Sequence, residues 1–431
     1  MVQKKVLKVA LLGLGTVGTG VYKVLRNQET EMMHKLGCEV KIVKILVRNL
    51  EKAAKKVEDS SILTNDWESI VSDPQIDLVI ELMGGLSPAK EYITQALEAG
   101  KHVVTANKDL VAVAGKELLD TAQEHKVDFL FEAAVAGGIP IIRPLKQCLA
   151  GNHITEVMGI VNGTTNFILT KMTQEGMEFQ EALDLATELG YAEADPTADI
   201  EGLDAGRKVA ILASVAFHSR VVFGDVAIEG ITKITATDIR YAKEMGCTIK
   251  LLGVTRNTED GIEAYVNPML PSDHPLASVN DSYNAVFVHG DAVEDAMFFG
   301  RGAGELPTAS AVVGDVFDIA RNIQFNCCTR ISCTCYKDFP IKKMEDTYNS
   351  YYLRLQAEDR CGVLAELTKI FAENQVSISE IVQKKTRSNG LAEIVVITSR
   401  VREGDFQTAV KFIRELKRVE KISALLRVYQ K

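Results

Sequence analysis

No stretch of the chain approaches the ~18 consecutive apolar residues of a membrane-spanning helix, so a helical membrane protein is excluded. Basic residues are not in excess. Lys and Arg number 49 against 58 Asp and Glu, a net charge of −9, and the electrostatic footprint of a nucleic-acid binder is missing. The stretch Met1 to Lys8 is basic but runs into an apolar strand without a small-residue cleavage site, so no secretory leader is read there. Low-complexity tracts and tandem repeats are absent too. What is present is 46% hydrophobic residues in 431, enough for two to four domains with buried cores. The expected partner is a small molecule or a protein, with no nucleic acid and no membrane, and the expected location is cytoplasmic.

Disulfides are not expected. Cys38, Cys148, Cys247 and Cys361 are scattered, while Cys327, Cys328, Cys333 and Cys335 crowd into CCTRISCTC; in a long chain without a leader, reduced thiols are the default. The paired CxxC of a zinc site is also missing, because the spacing is CC then CxC. The cluster reads as two thiol-rich strand ends, with a metal site as the alternative.

Apolar runs alternate with amphipathic stretches over residues 1–135, which predicts βαβ units in a Rossmann-like, doubly wound parallel sheet of an α/β fold. Residues 136–305 mix long helical segments, such as Leu203 to Phe217, with strands, and predict a second α+β domain. A helix over Thr308 to Asn322 is expected to return to the first domain, so that 306–338 complete it. Lys337 to Asn349 reads as a linker, and 350–431 as a βαββαβ unit.

In VLKVALLGLGTVGTGVYKVL, Gly13, Gly15 and Gly18 follow a strand and open a helix. That is the dinucleotide turn: the first glycine for the tight bend, the second for the approach of a pyrophosphate, the third for packing of helix on strand, with Leu14, Thr16 and Val17 in the same loop. An empty strand-to-helix turn is the alternative. The second strand lacks the terminal acid that holds the ribose of NAD and ends in Val47, Arg48 and Asn49. Arg48, with Lys52 nearby, suits a 2′-phosphate, which favours NADP over NAD; a solvated arginine is the alternative.

TANKDLVA around Lys108, FEAAVAGGIPII at Phe131 to Ile142, VNGTTNFIL at Val161 to Leu169, GYAEADPTADIEGLDAGRKVAIL at Gly190 to Leu212 and GRGAGELPTASAVVGD at Gly300 to Asp315 follow in order. With the glycine turn, these motifs resemble the homoserine dehydrogenase family, from Val6 to about Asp338. The resemblance implies reversible NAD(P)H-dependent reduction of aspartate 4-semialdehyde to homoserine, in threonine, methionine and isoleucine biosynthesis. Asp204 and Lys208 stand one helical turn apart, a spacing that ion pairs use on any solvated helix. The resemblance makes Lys208 the proton donor, Asp204 the residue that orients substrate and lysine, and Lys108 a second active-site lysine, with Thr105 in the cofactor-facing loop. It assigns Glu193 to the substrate ammonium, with a surface loop acid as the alternative, and Gly138 and Gly304 to cofactor or substrate contacts. Gly163 and Thr164 open an apolar helix whose N–H groups and hydroxyls suit the α-carboxylate, and ordinary N-capping explains the same residues. The resemblance also implies a monovalent cation, sodium, at the position of Glu132 and the carbonyls of Val135, Gly137 and Ile139; a plain tight turn is the alternative. The motifs of aspartate-semialdehyde dehydrogenase, which needs a cysteine nucleophile, are missing. A non-catalytic amino-acid sensor is the remaining alternative.

YYLRLQAEDRCGVLAELTKIFAENQVSISEIVQ resembles an ACT domain. That resemblance implies amino-acid binding between paired domains near Gly362 and Asn374, with threonine as the expected effector; a passive dimerisation module is the alternative. A homo-oligomer, dimer or tetramer, is expected. Because the nucleotide turn begins within fifteen residues of Met1, a monofunctional chain without an aspartokinase region is expected.

Overall fold

A computed structural model describes residues 6–271, 274–331, 333–384 and 390–429, so part of the basic N-terminal stretch and the last two residues of the C-terminal module lie outside it. The chain forms two compact units: Met1–Val157, Arg207–Asp225 and Tyr283–Phe339 make the first, and Met158–Gly206, Val226–Ser282 and Pro340–Lys431 the second.

The first unit is built on a six-stranded sheet of β1 (Val6–Leu12), β2 (Glu39–Leu46), β3 (Leu63–Thr64), β4 (Leu78–Glu81), β5 (His102–Thr105) and β6 (Phe129–Leu130). Its order is β3-β2-β1-β4-β5-β6 and every pairing is parallel. Parallel strands are covered on both faces, which is why β4 and β5 are buried at every residue. The order reverses between β1 and β4, and that switch point opens the crevice in which such sheets take ligands. The helix Glu305–Phe325 does return to this sheet: Ala309, Val312 and Val316 share one core with Val21 and Leu25 of the helix Thr16–Asn27. The two helices approach so closely that a Cβ on Gly20 would fall 2.4 Å from the Glu305 carbonyl oxygen.

The cysteine cluster is not on strand ends. Cys327 and Cys328 follow the helix Glu305–Phe325, which Asn326 closes in the left-handed conformation, and Cys333 and Cys335 lie on irregular chain. The backbone within the run bonds to a side chain rather than to a ladder, with Thr329 N–H donating to Asp128 Oδ1 at 2.7 Å, and strand-type pairing appears only beyond it, at the isolated parallel bridge between Ser219 and Lys337.

In the second unit, Lys250–Thr258 pairs antiparallel with Gly261–Pro271. The C-terminal module has the expected order, Tyr348–Glu358, helix Val363–Glu373, Ile378–Lys384, Leu391–Thr398, helix Glu403–Glu415 and Val419–Tyr429, with a two-residue strand Val401–Arg402 added before the second helix. Its sheet is antiparallel and has its own core around Tyr351, Leu355, Phe371 and Phe406. The module is not tethered loosely. Val419–Tyr429 runs parallel to Gly261–Pro271 through the pairs Met269↔Arg427, Leu270↔Val428 and Pro271↔Tyr429. Buried Arg354 donates to Asp238 at 2.9 Å and to Glu393 at 2.7 Å, and the Tyr241 hydroxyl donates to the same Glu393 at 2.5 Å. The expected linker is likewise structured, for all its polar composition: Ile262 N–H donates to the Pro340 carbonyl and Lys342 N–H to the Ile262 carbonyl, each at 2.8 Å.

Candidate active site

In the first unit the glycine turn has the geometry that its spacing predicts. Gly13 has φ +96°, and a Cβ there would meet the Leu82 carbonyl at 2.9 Å; one on Gly18 would stand 2.2 Å from the Gly13 oxygen. Gly15 has no protein atom within 4 Å of such a Cβ, so its backbone faces open space. Gly15 and Thr16 are exposed, Val17 is half-buried and Leu14 is buried. The turn borders a cavity of about 450 Å³ lined also by Arg48, Asn49, Lys52 and Lys56, with no Asp or Glu on its wall. Lys56, which sequence reasoning passed over, donates to the Leu14 carbonyl at 2.9 Å; its signal was the four-residue spacing from Lys52.

Glu81 was also missed, and it organises the carboxyl ends of β4 and β5. Fully buried, it accepts from Met83 N–H at 2.7 Å and Gly84 N–H at 3.0 Å, and from the Thr105 hydroxyl at 2.7 Å. Thr105 is thus buried with its hydroxyl engaged, and it accepts in turn from Asn107 N–H at 2.9 Å. Asn107 caps the helix Lys108–Glu124 through Leu110 N–H and donates to the Gly85 carbonyl at 2.7 Å. A lone carboxylate in the apolar strand LVIE was the available signal. Lys108 is therefore the first residue of a helix whose start is pinned by a buried acid. Its neighbour Asp109 accepts from Arg207 at 2.5 Å, an ion pair that ties the residue after Lys108 to the residue before Lys208.

Glu132 is buried, and its carboxylate is committed to backbone: Ile141 N–H at 2.6 Å, Ile142 N–H at 2.8 Å and Arg143 N–H at 2.7 Å. Its own N–H donates to Asp315, which also accepts from Arg143 at 2.6 Å. Burial and the nearby Glu132 push the Asp315 carboxyl up to about 7 against the pull of that guanidinium. Ala136 and Gly137 are consecutive left-handed residues, at φ +55° and +48°. A Cβ on Gly137 would lie 2.3 Å from the Gly302 carbonyl, and one on Gly138 2.8 Å from Pro307. What the glycine pair lets approach is the segment Arg301–Pro307 of the protein itself, where Gly304 caps the returning helix at φ +128°.

In the second unit Asn162 joins three segments. Its Oδ1 accepts from Thr165 N–H at 2.9 Å at the start of the helix Gly163–Glu175, and its Nδ2 donates to Asp199 at 2.6 Å and Asp204 at 2.9 Å. Thr164 donates to the Tyr191 carbonyl at 2.7 Å, so capping uses up part of the NGTTN run, while Gly163 stands at the open helix start. Asp199 had not been singled out. Asp204 and Lys208 are one turn apart on Leu203–Phe217 and both are buried, which rules out the solvated surface pair. Glu193 is exposed, and its carboxylate makes no hydrogen bond or ion pair among the described residues. Lys250 is buried beneath the same helix and donates to Asn166 Oδ1 at 3.0 Å and to the Val279 carbonyl; burial pulls its pKa down to about 8. In the C-terminal module, Gly362 opens the helix Val363–Glu373 at φ +95° and Asn374 closes it, so the two stand at opposite ends of one helix.

Family models described as homoserine dehydrogenase, NAD binding domain, as homoserine dehydrogenase, and as ACT domain match residues 13–132, 140–317 and 351–418. A homoserine dehydrogenase of Synechocystis is 46% identical, with 98% of this chain and 99% of that one covered. The crystal structure of a homoserine dehydrogenase from Thiobacillus denitrificans superposes with a TM-score of 0.95 at 44% identity over 99% of each chain. A hyperthermophilic archaeal homoserine dehydrogenase mutant in complex with NADPH aligns at TM-score 0.63 and 26% identity over 73% of this chain and 97% of that chain.

Proposed function

The chain belongs to the homoserine dehydrogenase family, and from that premise we propose how its residues serve the NAD(P)-dependent interconversion of aspartate 4-semialdehyde and homoserine. Residues 1–135 with 306–338 are the cofactor domain, 136–305 the catalytic and dimerisation domain, and 350–431 the regulatory module. A nicotinamide cofactor held at the Gly13–Gly18 turn supplies or removes the hydride. Lys208 gives a proton to the carbonyl oxygen as charge develops there, or takes it back from the hydroxyl in the reverse direction. Asp204 positions substrate and lysine, Lys108 supports the same oxygen, Glu193 pairs with the substrate ammonium, and the helix start at Gly163 and Thr164 receives the carboxylate. The observation that carries this reading is the burial of Asp204 and Lys208 on one helix, beside an Asp109–Arg207 pair that fixes the Lys108 helix against it. The test is homoserine-dependent reduction of NADP or NAD by the purified chain; no reduction with either cofactor defeats the reading.

Arg48, Lys52 and Lys56 around an acid-free cavity support a preference for NADP. A Michaelis constant lower for NADH than for NADPH overturns that. A monovalent cation, sodium, would be held by the main-chain oxygens of Glu132, Val135, Gly137 and Ile139. The fit is one of chemistry: hard oxygen donors suit such an ion, the left-handed pair at Ala136 and Gly137 bends this segment, and the occupied Glu132 carboxylate leaves the task to carbonyls. Turnover in potassium-free and sodium-free buffer, restored by either ion, tests it.

Threonine is the proposed effector, bound near Gly362 and Asn374 between paired modules of a homo-oligomer. The edge strand Ile378–Lys384 supports pairing, since it leaves Ile381 and Val382 exposed. Deleting the module would uncover the strand Gly261–Pro271, so threonine sensitivity is best tested in the full chain: Gly362→Val should abolish inhibition and leave basal turnover.

A further inference from the structure

The mechanism leaves one group of side chains without a task. In the first unit, Cys333 and Cys335 line a cavity of about 50 Å³ together with Lys116, Lys146 and Arg220. Both side chains are half-buried, so the cavity is reachable from solvent, and each thiol lies close enough to influence the other's titration. Two residues of chain span at most about 7 Å, the upper limit of the Cα separation that a disulfide bridges, and any bend between them brings the pair inside it. The chain also bends at Cys335, where Tyr336 N–H donates back to the Thr334 carbonyl at 3.0 Å. The Cys335 S–H also reaches the Ser214 carbonyl at 3.6 Å, near the end of Leu203–Phe217, the helix that carries Lys208. Just downstream, Phe339 N–H donates to the Ser219 hydroxyl at 3.0 Å. The thiol pair therefore sits in a segment stapled to the C-terminal end of that helix.

We propose that Cys333 and Cys335 form a thiol–disulfide exchange site that reacts with low-molecular-weight disulfides and thereby loosens the end of the helix carrying Lys208. The Cys333 thiolate attacks one sulfur of the small disulfide; a mixed disulfide forms and one small thiolate leaves and takes a proton from water. Cys335 then loses its proton to water and its sulfur attacks Cys333, which forms the protein disulfide and expels the second small thiol. Two protein thiols are oxidised and one small disulfide is reduced to two thiols. Cys335 no longer has a hydrogen to give to Ser214. The neighbouring Cys335 and the Lys146 ammonium lower the pKa of the Cys333 thiol and favour the thiolate that starts the exchange. A strained bridge over so few residues belongs to the labile, reducible class.

The link to turnover rests on the role proposed for Lys208, so the experiment has a readout that does not. The full chain carrying Cys148→Ser and Cys361→Ser, which removes the exposed thiols, is treated with oxidised glutathione, alkylated and digested with trypsin. The peptide Ile331–Lys337 holds both cysteines. It should become lighter by a pair of hydrogens and resist alkylation, and dithiothreitol should restore it. With Cys335→Ser the same peptide should stop at the glutathione adduct on Cys333, and with Cys333→Ser it should not react. Homoserine oxidation should fall in step with the bridged fraction and recover on reduction, while Cys333→Ser is insensitive to oxidised glutathione. A peptide that keeps both thiols under conditions that glutathionylate denatured chain overturns the site, whatever the enzyme's activity. Full bridging with unchanged turnover overturns the coupling to the helix.

Discussion

The Gly13–Gly18 turn and the cluster around Asn162 both stand at the start of a helix, yet they are built differently. The turn is contiguous: its shape comes from Gly13 at positive φ and from Gly18 packing against the Gly13 carbonyl, and its neighbours in space are largely its neighbours in sequence. The cluster draws on residues 162, 166, 199, 204 and 250, and buried hydrogen bonds hold it together. A change in the turn should therefore register mainly in nucleotide binding. A change in the cluster orphans buried polar groups and should register in folding as well as in turnover.

The largest effect is expected at Lys208. Lys208→Met should lower kcat for homoserine oxidation by about 10²- to 10⁴-fold, read by steady-state kinetics; turnover within threefold of the unmodified enzyme removes Lys208 from proton transfer. Next comes Lys250, whose pKa of about 8 in the fold lies below the ~10.4 of an unfolded lysine. The unfolded chain then binds more protons between those values, so stability should rise with pH across that window, by about 3 kcal/mol in all. Below pH 8 that contribution is absent. Urea titrations at intervals from pH 7.5 to 10.5 measure it against Lys250→Met, in which this part of the rise should vanish; parallel curves would break the claim that the cluster carries a buried charge.

Asn162→Ala should cost about 2 kcal/mol of stability, because Asp199, Asp204 and Thr165 N–H lose a partner. It should also raise the KM for homoserine, and loss of stability without a change in KM would separate the cluster from the substrate. The smallest effect is expected in the cofactor cavity: Arg48→Ala should raise the KM for NADPH about tenfold, roughly 1.4 kcal/mol, and leave that for NADH and the Tm nearly unchanged. Equal changes for both cofactors would show that Arg48 reads no 2′-phosphate.

The uneven legibility of the chain follows the same contrast. The glycine turn, the returning helix and the βαββαβ module are local patterns, and the structure matches each of them. Glu81 was signalled only as a lone carboxylate in an apolar strand, and Asn107 not at all, because their importance lies in hydrogen bonds to β5 and to the loop after β4. The Cys327–Cys335 run misled, because dense thiols between apolar residues look like strand ends, whereas Asp128 takes the Thr329 N–H that a ladder would need. The linker over Lys337 to Asn349 misled in the same way, since its polar residues cover a backbone already paired to Ile262.

By itself, then, the sequence determined the strand–helix order of the parallel sheet and of the C-terminal module, and the glycine turn, since each depends on periodicity, backbone conformation or a motif within a few residues. Only the tertiary structure decided which carboxylates are spent on backbone amides, which acids and lysines are buried, that the C-terminal module shares a sheet with Gly261–Pro271, and that two half-buried thiols line one cavity near the end of the helix carrying Lys208. Hydrogen bonds and burial join residues tens to hundreds of positions apart, and no local pattern in the chain records which partner a buried group will find.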